Sequence, residues 1–116
     1  VKFISPPTAR SDGTLFAIFT DPDGIFYELR EVEGADQETE TTHIFRVDRL
    51  NINVSDFERS RAWYQMMGYD VTEKLASTDS ADVARAMGVE DGFEVDGALL
   101  THREDESTVE LVQWIK

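Results

Sequence analysis

Asp21-Pro22-Asp23-Gly24 forces the chain to reverse direction. Proline presets φ for the first turn position and glycine permits the positive φ that closes it. On either side lie residues 14–20 (TLFAIFT) and 25–32 (IFYELREV), runs of aromatic and branched side chains that favour extended backbone. The spacing predicts a β-hairpin over this turn. Residues 1–7 read as a preceding strand that Pro6-Pro7 ends. Residues 1–32 therefore read β-β-β.

Residues 33–42 contain Glu33, Asp36, Glu38 and Glu40 with no basic residue, the composition of a solvated linker, and residues 33–43 are taken as the boundary. A second unit spans residues 44–116. Leu50, Ile52 and Val54 alternate with Arg49, Asn51 and Asn53, the period of a half-buried strand. Ser55 followed three residues later by Glu58 matches a capping box, so a helix is expected from there to Met67, with Gly68 as its stop. Phe57, Trp63, Tyr64 and Met67 on that helix are expected to pack on the sheet. Strands follow at 69–75, 93–103 and 108–115, with a short helix at 77–87. The second unit reads β-α-β-(α)-β-β. The triplets Tyr27-Glu28-Leu29 and Val109-Glu110-Leu111 form a weak internal repeat.

Charge and composition bound the partners. The 116 residues carry 24 acidic and 11 basic side chains, a net charge of −13. That balance opposes nucleic acid, whose phosphates are held by Lys and Arg, and anionic membrane surfaces. No apolar run approaches the roughly 20 residues of a spanning helix. Cysteine is absent, which removes disulfides, thiolate metal ligands and Cys nucleophiles. The expected location is cytoplasmic. A strand-like run beginning at Val1, without Met, reads as the interior of a longer protein.

Two segments carry a resemblance. Phe19-Thr20-Asp21-Pro22-Asp23-Gly24-Ile25-Phe26-Tyr27-Glu28-Leu29 and Val47–Ser60, continued through Trp63-Tyr64 to Met67-Gly68-Tyr69, are similar to the signatures of the vicinal oxygen chelate superfamily. This is the glyoxalase, bleomycin-resistance and extradiol-dioxygenase group, built from paired βαβββ modules. The resemblance implies an α+β fold, a mixed sheet with helices on its outer face. One complete module over 44–116 would be preceded by the C-terminal strands of another over 1–32. It also implies a small-molecule ligand and, in the enzymes, a divalent metal (Fe, Mn, Ni or Zn) serving lyase, isomerase or dioxygenase chemistry. Glu28 and Glu110 fall at the carboxylate metal-ligand positions, and Glu110 is also the candidate general base. Where the opening strand of the family presents a metal ligand, this chain has Arg49, whose guanidinium stays protonated and offers no lone pair.

That departure leaves two functional readings open. In one, Glu28 and Glu110 hold a metal. In the other, Arg49 pairs with Glu110, fills the place of the metal, and the concave sheet is a metal-free binding module with Arg49, Asn51 and Asn53 as its polar contacts. A third possibility is an inactive fragment of a two-domain protein. A carboxylate or phosphate ligand on Arg49 would suit the second reading. His43 and His102 lack metal-helix spacing, so each reads as a surface residue. The missing opening strand of the first module would leave a sheet edge, and a homodimer is expected from it.

Overall fold

A computed structural model describes residues 2–31 and 47–115. The fold is α+β; the described residues form one antiparallel and one mixed four-stranded sheet and two short helices. By packing, the chain divides into two compact units. The first comprises Val1–Phe45 and Thr78–Gly92, the second Arg46–Ser77 and Phe93–Lys116. The linker expected at 33–43 lies outside the described residues, as does His43.

In the first unit, β3 (Leu15–Thr20) and β4 (Phe26–Arg30) form the expected hairpin over Asp21-Pro22-Asp23-Gly24. Gly24 takes φ 82° and donates its N–H to the Asp21 carbonyl. Asp21 Oδ1 accepts from the amides of Asp23 and Ile25, each at 2.9 Å, so the aspartate side chain completes the turn. The strand expected at 1–7 is instead two short pieces, β1 (Lys2–Phe3) and β2 (Thr8–Ala9). Pro6 and Pro7 lack the N–H that a continuous ladder needs, so the chain bends away between them. β4 pairs along one edge of β3, leaving the other edge to β1 and β2.

The short helix α2 (Ala81–Ala86) lies within 44–116 in sequence but packs in the first unit. Ser80 caps it, accepting from the Val83 amide at 3.3 Å. Ala86, Val83 and Met87 cover Phe16 and Ile18 of β3, and Phe16 is fully buried there. The opposite face of β3 and β4 carries the aromatic pair Phe19 and Tyr27, stacked at 5.2 Å, with Phe3 beside Phe19 at 5.7 Å.

The second unit runs β5 (Leu50–Asn53), α1 (Phe57–Met66), β6 (Tyr69–Lys74), β7 (Val95–His102) and β8 (Thr108–Trp114). The sheet order is β5-β8-β7-β6, with β5 parallel to β8 and the other pairs antiparallel. Alternation sorts the side chains. Ile52, Ala98, Leu100, Val109 and Leu111 face α1 and close a core around the fully buried Phe57. Arg49, Asn51, Asn53, Leu99, Thr101, Glu110, Val112 and Trp114 belong to the other, helix-free face.

Two local expectations are corrected. The cap of α1 is Asp56, whose Oδ1 accepts from the Arg59 amide at 3.0 Å, and Glu58 pairs with Arg61 instead of reaching back to Ser55. A carboxylate at the positive end of the helix gains charge–dipole stabilisation that a hydroxyl lacks. Trp63 and Met67 are each 52% exposed, so they are not core. The sheet-facing stripe runs from the buried Phe57 through the half-buried Ser60, Arg61, Tyr64 and Gln65, and Trp63 lies on the outer side, edge-on to Tyr64 at 5.0 Å.

Candidate functional site

The helix-free face of the second sheet brings three of the five expected site residues together. β5 and β8 run in parallel with Asn51 beside Glu110. Glu110 Oε2 accepts from Arg49 Nη1 at 3.1 Å, and Oε1 accepts from Asn51 Nδ2 at 3.0 Å. Both oxygens are thus engaged by neighbours on β5 or just before it. Arg49 and Glu110 side chains are 17% and 20% exposed, enough shielding for the pair to be stronger than a surface ion pair. Arg49 Nε also donates to Asp48 Oδ2 at 3.2 Å. One guanidinium therefore sits between two carboxylates.

That sandwich changes what Arg49 can recognise. Its positive charge is already compensated, and an incoming carboxylate or phosphate would meet Asp48 and Glu110 as well. The arrangement works against the anionic ligand expected for Arg49. It suits a neutral acceptor, such as a carbonyl or ether oxygen, that takes an N–H without bringing charge.

Asn53, two residues along β5, accepts from Trp114 Nε1 at 3.0 Å through Oδ1. It fixes the indole, which also stands edge-on to Phe93 at 5.2 Å, rather than joining the Glu110 cluster. Further across the face, the hydroxyls of Thr108, Thr101 and Thr72 form a chain with spacings of 3.4 and 3.1 Å. The sequence reading missed this row. Its signal was the threonine alternation on β7 and β8, invisible until the register was known. The helix-free face thus carries a polar cluster with Leu99 beside Glu110 on β7, Trp114 toward the end of β8 and threonine hydroxyls toward its start.

Glu28 lies in the first unit. It is held by an ion pair with Arg10, which follows β2, and the Arg10 guanidinium also lies 4.3 Å from the Phe16 ring centre. Opposite Ile18 in the β3–β4 register, Glu28 belongs to the face that α2 covers. Glu110, its counterpart in the internal repeat, belongs to a face opposite its helix. The two carboxylates are thus differently disposed within their own sheets.

A metal bound at Glu110 would compete with the groups already bonded to it. Glu110 would have to give up Arg49 or Asn51. His102 Nε2 bonds the Met67 carbonyl at 3.1 Å and Nδ1 accepts from the Glu104 amide at 3.2 Å, so both ring nitrogens serve the backbone. Among the described residues, no group of three or more His, Asp or Glu side chains is arranged to hold a metal ion.

Tyr27 and several surface carboxylates are tuned by neighbours. The Tyr27 hydroxyl donates to Asp21 Oδ2 at 3.2 Å, which raises its pKa above the usual 10.0. Arg103 forms two hydrogen bonds to Asp70, at 2.8 and 3.1 Å, and holds that carboxyl below its usual 3.8. The Ser107 amide does the same for Asp105. A separate groove of about 610 Å³ runs along α1, lined by Arg59, Ala62, Trp63 and Met66.

No protein-family model, curated protein sequence or solved structure matches this chain. Among the described residues, no helix is long and apolar enough to cross a membrane.

Proposed function

We propose that this chain is a small-molecule-binding domain of the glyoxalase, bleomycin-resistance and dioxygenase type. It holds its ligand, without a metal ion, on the helix-free face of the second sheet. One observation carries the reading: both Glu110 oxygens are taken, one by Arg49 and one by Asn51. In the metal-dependent alternative, that carboxylate would be a ligand or a general base. Engaged twice, it acts instead as the fixed centre of a hydrogen-bonding patch. The β-α-β-β-β order of the second unit supports the family reading, as do the matching signature segments.

The ligand is a neutral or weakly polar small molecule with an apolar body. Its acceptor oxygen takes an N–H of Arg49, and its body lies against Leu99 and Trp114. Asn51 and Glu110 hold the guanidinium in place, so binding does not have to order it. The chain works as a homodimer in the cytoplasm.

The two tryptophans allow a direct test. In a Trp63→Phe variant, Trp114 is the sole indole. A library of neutral aromatic carbonyl compounds, screened by its fluorescence, should include compounds that quench it saturably. Arg49→Met should weaken their binding about tenfold, the value of one charged hydrogen bond. Quenching unchanged by Arg49→Met would overturn the assignment.

A further inference from the structure

His102 ends β7, and its ring reaches the end of α1 on one side and the β7–β8 turn on the other. Nε2 lies 3.1 Å from the Met67 carbonyl oxygen. Gly68 leaves room for it, since a Cβ there would lie 2.8 Å from Nε2. Nδ1 lies 3.2 Å from the Glu104 amide and 3.4 Å from Asp105 Oδ1. The side chain is 23% exposed, so protein groups supply most of its surroundings.

One protonation state makes both backbone bonds. An amide donates to a ring nitrogen only where a lone pair is free, so Nδ1 carries no proton. A carbonyl accepts only from a protonated nitrogen, so Nε2 carries one. The ring is therefore the neutral Nε2–H tautomer. A second proton, on Nδ1, sets N–H against N–H and breaks the Glu104 bond. That proton finds a carboxylate within reach. Asp105 is held below its usual 3.8, chiefly by the Ser107 amide, so it is charged throughout the range from about pH 5 to 8 in which histidine changes charge. The Nε2 bond to Met67 survives, and a cation there gains from the carbonyl end of α1.

The other groups around the ring hold the rest of the turn in both states. Arg103 donates its amide to the Gly68 carbonyl at 3.0 Å, and its side chain pairs with Asp70 of β6. Tyr69 of β6 stands edge-on to the ring at 5.0 Å, with its hydroxyl 3.2 Å from Ser107 Oγ. The last turn of α1 brings no basic residue, and Glu104 and Glu106 are exposed acidic residues of the turn itself. The His102 amide donates to the Ser107 carbonyl at 2.8 Å, and the Glu106 amide to the His102 carbonyl at 3.2 Å. Glu106 takes φ 60°, a conformation uncommon outside glycine, so the turn relies on these bonds for its shape.

We propose that His102 is a proton-operated latch on the β7–β8 turn. The neutral ring holds the Glu104 amide. The protonated ring releases it and takes the Asp105 carboxylate instead. The rearrangement is confined to residues 104–106, and it does not depend on the ligand reading.

Nuclear magnetic resonance of the full chain, labelled with ¹⁵N and titrated from about pH 8 to about 5.5, tests the latch. At the upper end, the ring nitrogen shifts should report the Nε2–H tautomer. As the His102 ring titrates, the Glu104 amide resonance should move with the same midpoint. Its protection factor against hydrogen exchange should fall about threefold to tenfold, the value of one hydrogen bond. His102→Gln should abolish the Glu104 step. Asp105→Asn should move the midpoint to lower pH, because the protonated ring loses its charged partner. The Asp105 side chain is 69% exposed, so that substitution leaves the core untouched. An Nδ1–H tautomer at the upper end overturns the proposal. So does a Glu104 amide that stays still while the ring titrates, a step that persists in His102→Gln, or a midpoint unchanged in Asp105→Asn.

Discussion

Arg49 Nη1 lies 3.1 Å from Glu110 Oε2, at the step between β8 and the residue that leads into β5. The pair ties the opening of the second unit to its last strand, 61 residues away. Asn51 adds a second tie to the same carboxylate. Arg49 and Asn51 together make Glu110 the centre of a hydrogen-bonded lock between β5 and β8.

The first prediction concerns this lock. Arg49→Met leaves Glu110 half-buried with one partner removed, and should destabilise the fold by about 1–3 kcal/mol. Glu110→Gln should cost less, because an amide still accepts from Asn51 or Arg49. Urea denaturation of both single variants and the double should give a coupling energy near 1 kcal/mol. Additive single effects would mean the pair contributes nothing of its own.

The helix cap offers a second check. Asp56→Ala removes the acceptor for the Arg59 amide and should cost about 1 kcal/mol. Ser55→Ala should cost much less, since Ser55 makes no cap. Equal losses in thermal melts would contradict the assignment.

Close packing at Gly97 gives a third. A Cβ built there would lie 2.3 Å from the Leu111 carbonyl oxygen and 2.8 Å from Leu75 Cδ1. Backbone on a paired strand cannot move away as a side-chain tip does, so Gly97→Ala should destabilise by about 1–3 kcal/mol. A neutral result in chemical denaturation would show that β7 and β8 are more loosely joined.

Acid sensitivity has a definite sign. Asp70, Asp105 and Asp12 all have pKa values held below 3.8, Asp70 chiefly by hydrogen bonds from Arg103 and the other two by hydrogen bonds from Ser107 and Thr14. A depressed folded-state pKa stabilises above the unfolded value. That contribution is complete above about pH 5 and is lost as pH falls through 3.8 and the lower folded values. Asp70→Asn should therefore lower stability at pH 6 and leave it nearly unchanged at pH 2. Thermal melts across that range check it. An equal effect at both pH values would exclude the charge interaction with Arg103.

Much of this architecture is legible in the residues. The DPDG turn fixes its hairpin because proline and glycine act locally, and the alternation around Asn51 and Asn53 places both on the Glu110 face. The Arg49–Glu110 pair follows from opposite charge at adjoining strand positions. Other features depend on what lies far away in sequence. Nothing local tells whether Trp63 or Tyr64 faces the sheet, because both fit the helical period and the phase is set by Phe57. The placement of α2 on β3 rather than beside its own neighbours is a tertiary choice, driven by the apolar Phe16 and Ile18 that it buries. The orientation of Glu28 toward that helix follows from the β3–β4 register. Asp56 and Ser55 compete for one cap, and charge decides between them.

Metal content is the most direct measure of the central claim. Equilibrium dialysis of the wild-type chain against Mn, Fe, Ni and Zn, followed by elemental analysis, should leave it without stoichiometric metal. Arg49→His, which removes the guanidinium from Glu110 and places an imidazole beside it, should gain affinity for Zn or Ni. Stoichiometric metal in the wild type, abolished by Glu110→Ala, would contradict the metal-free site and return Glu110 to the role of ligand.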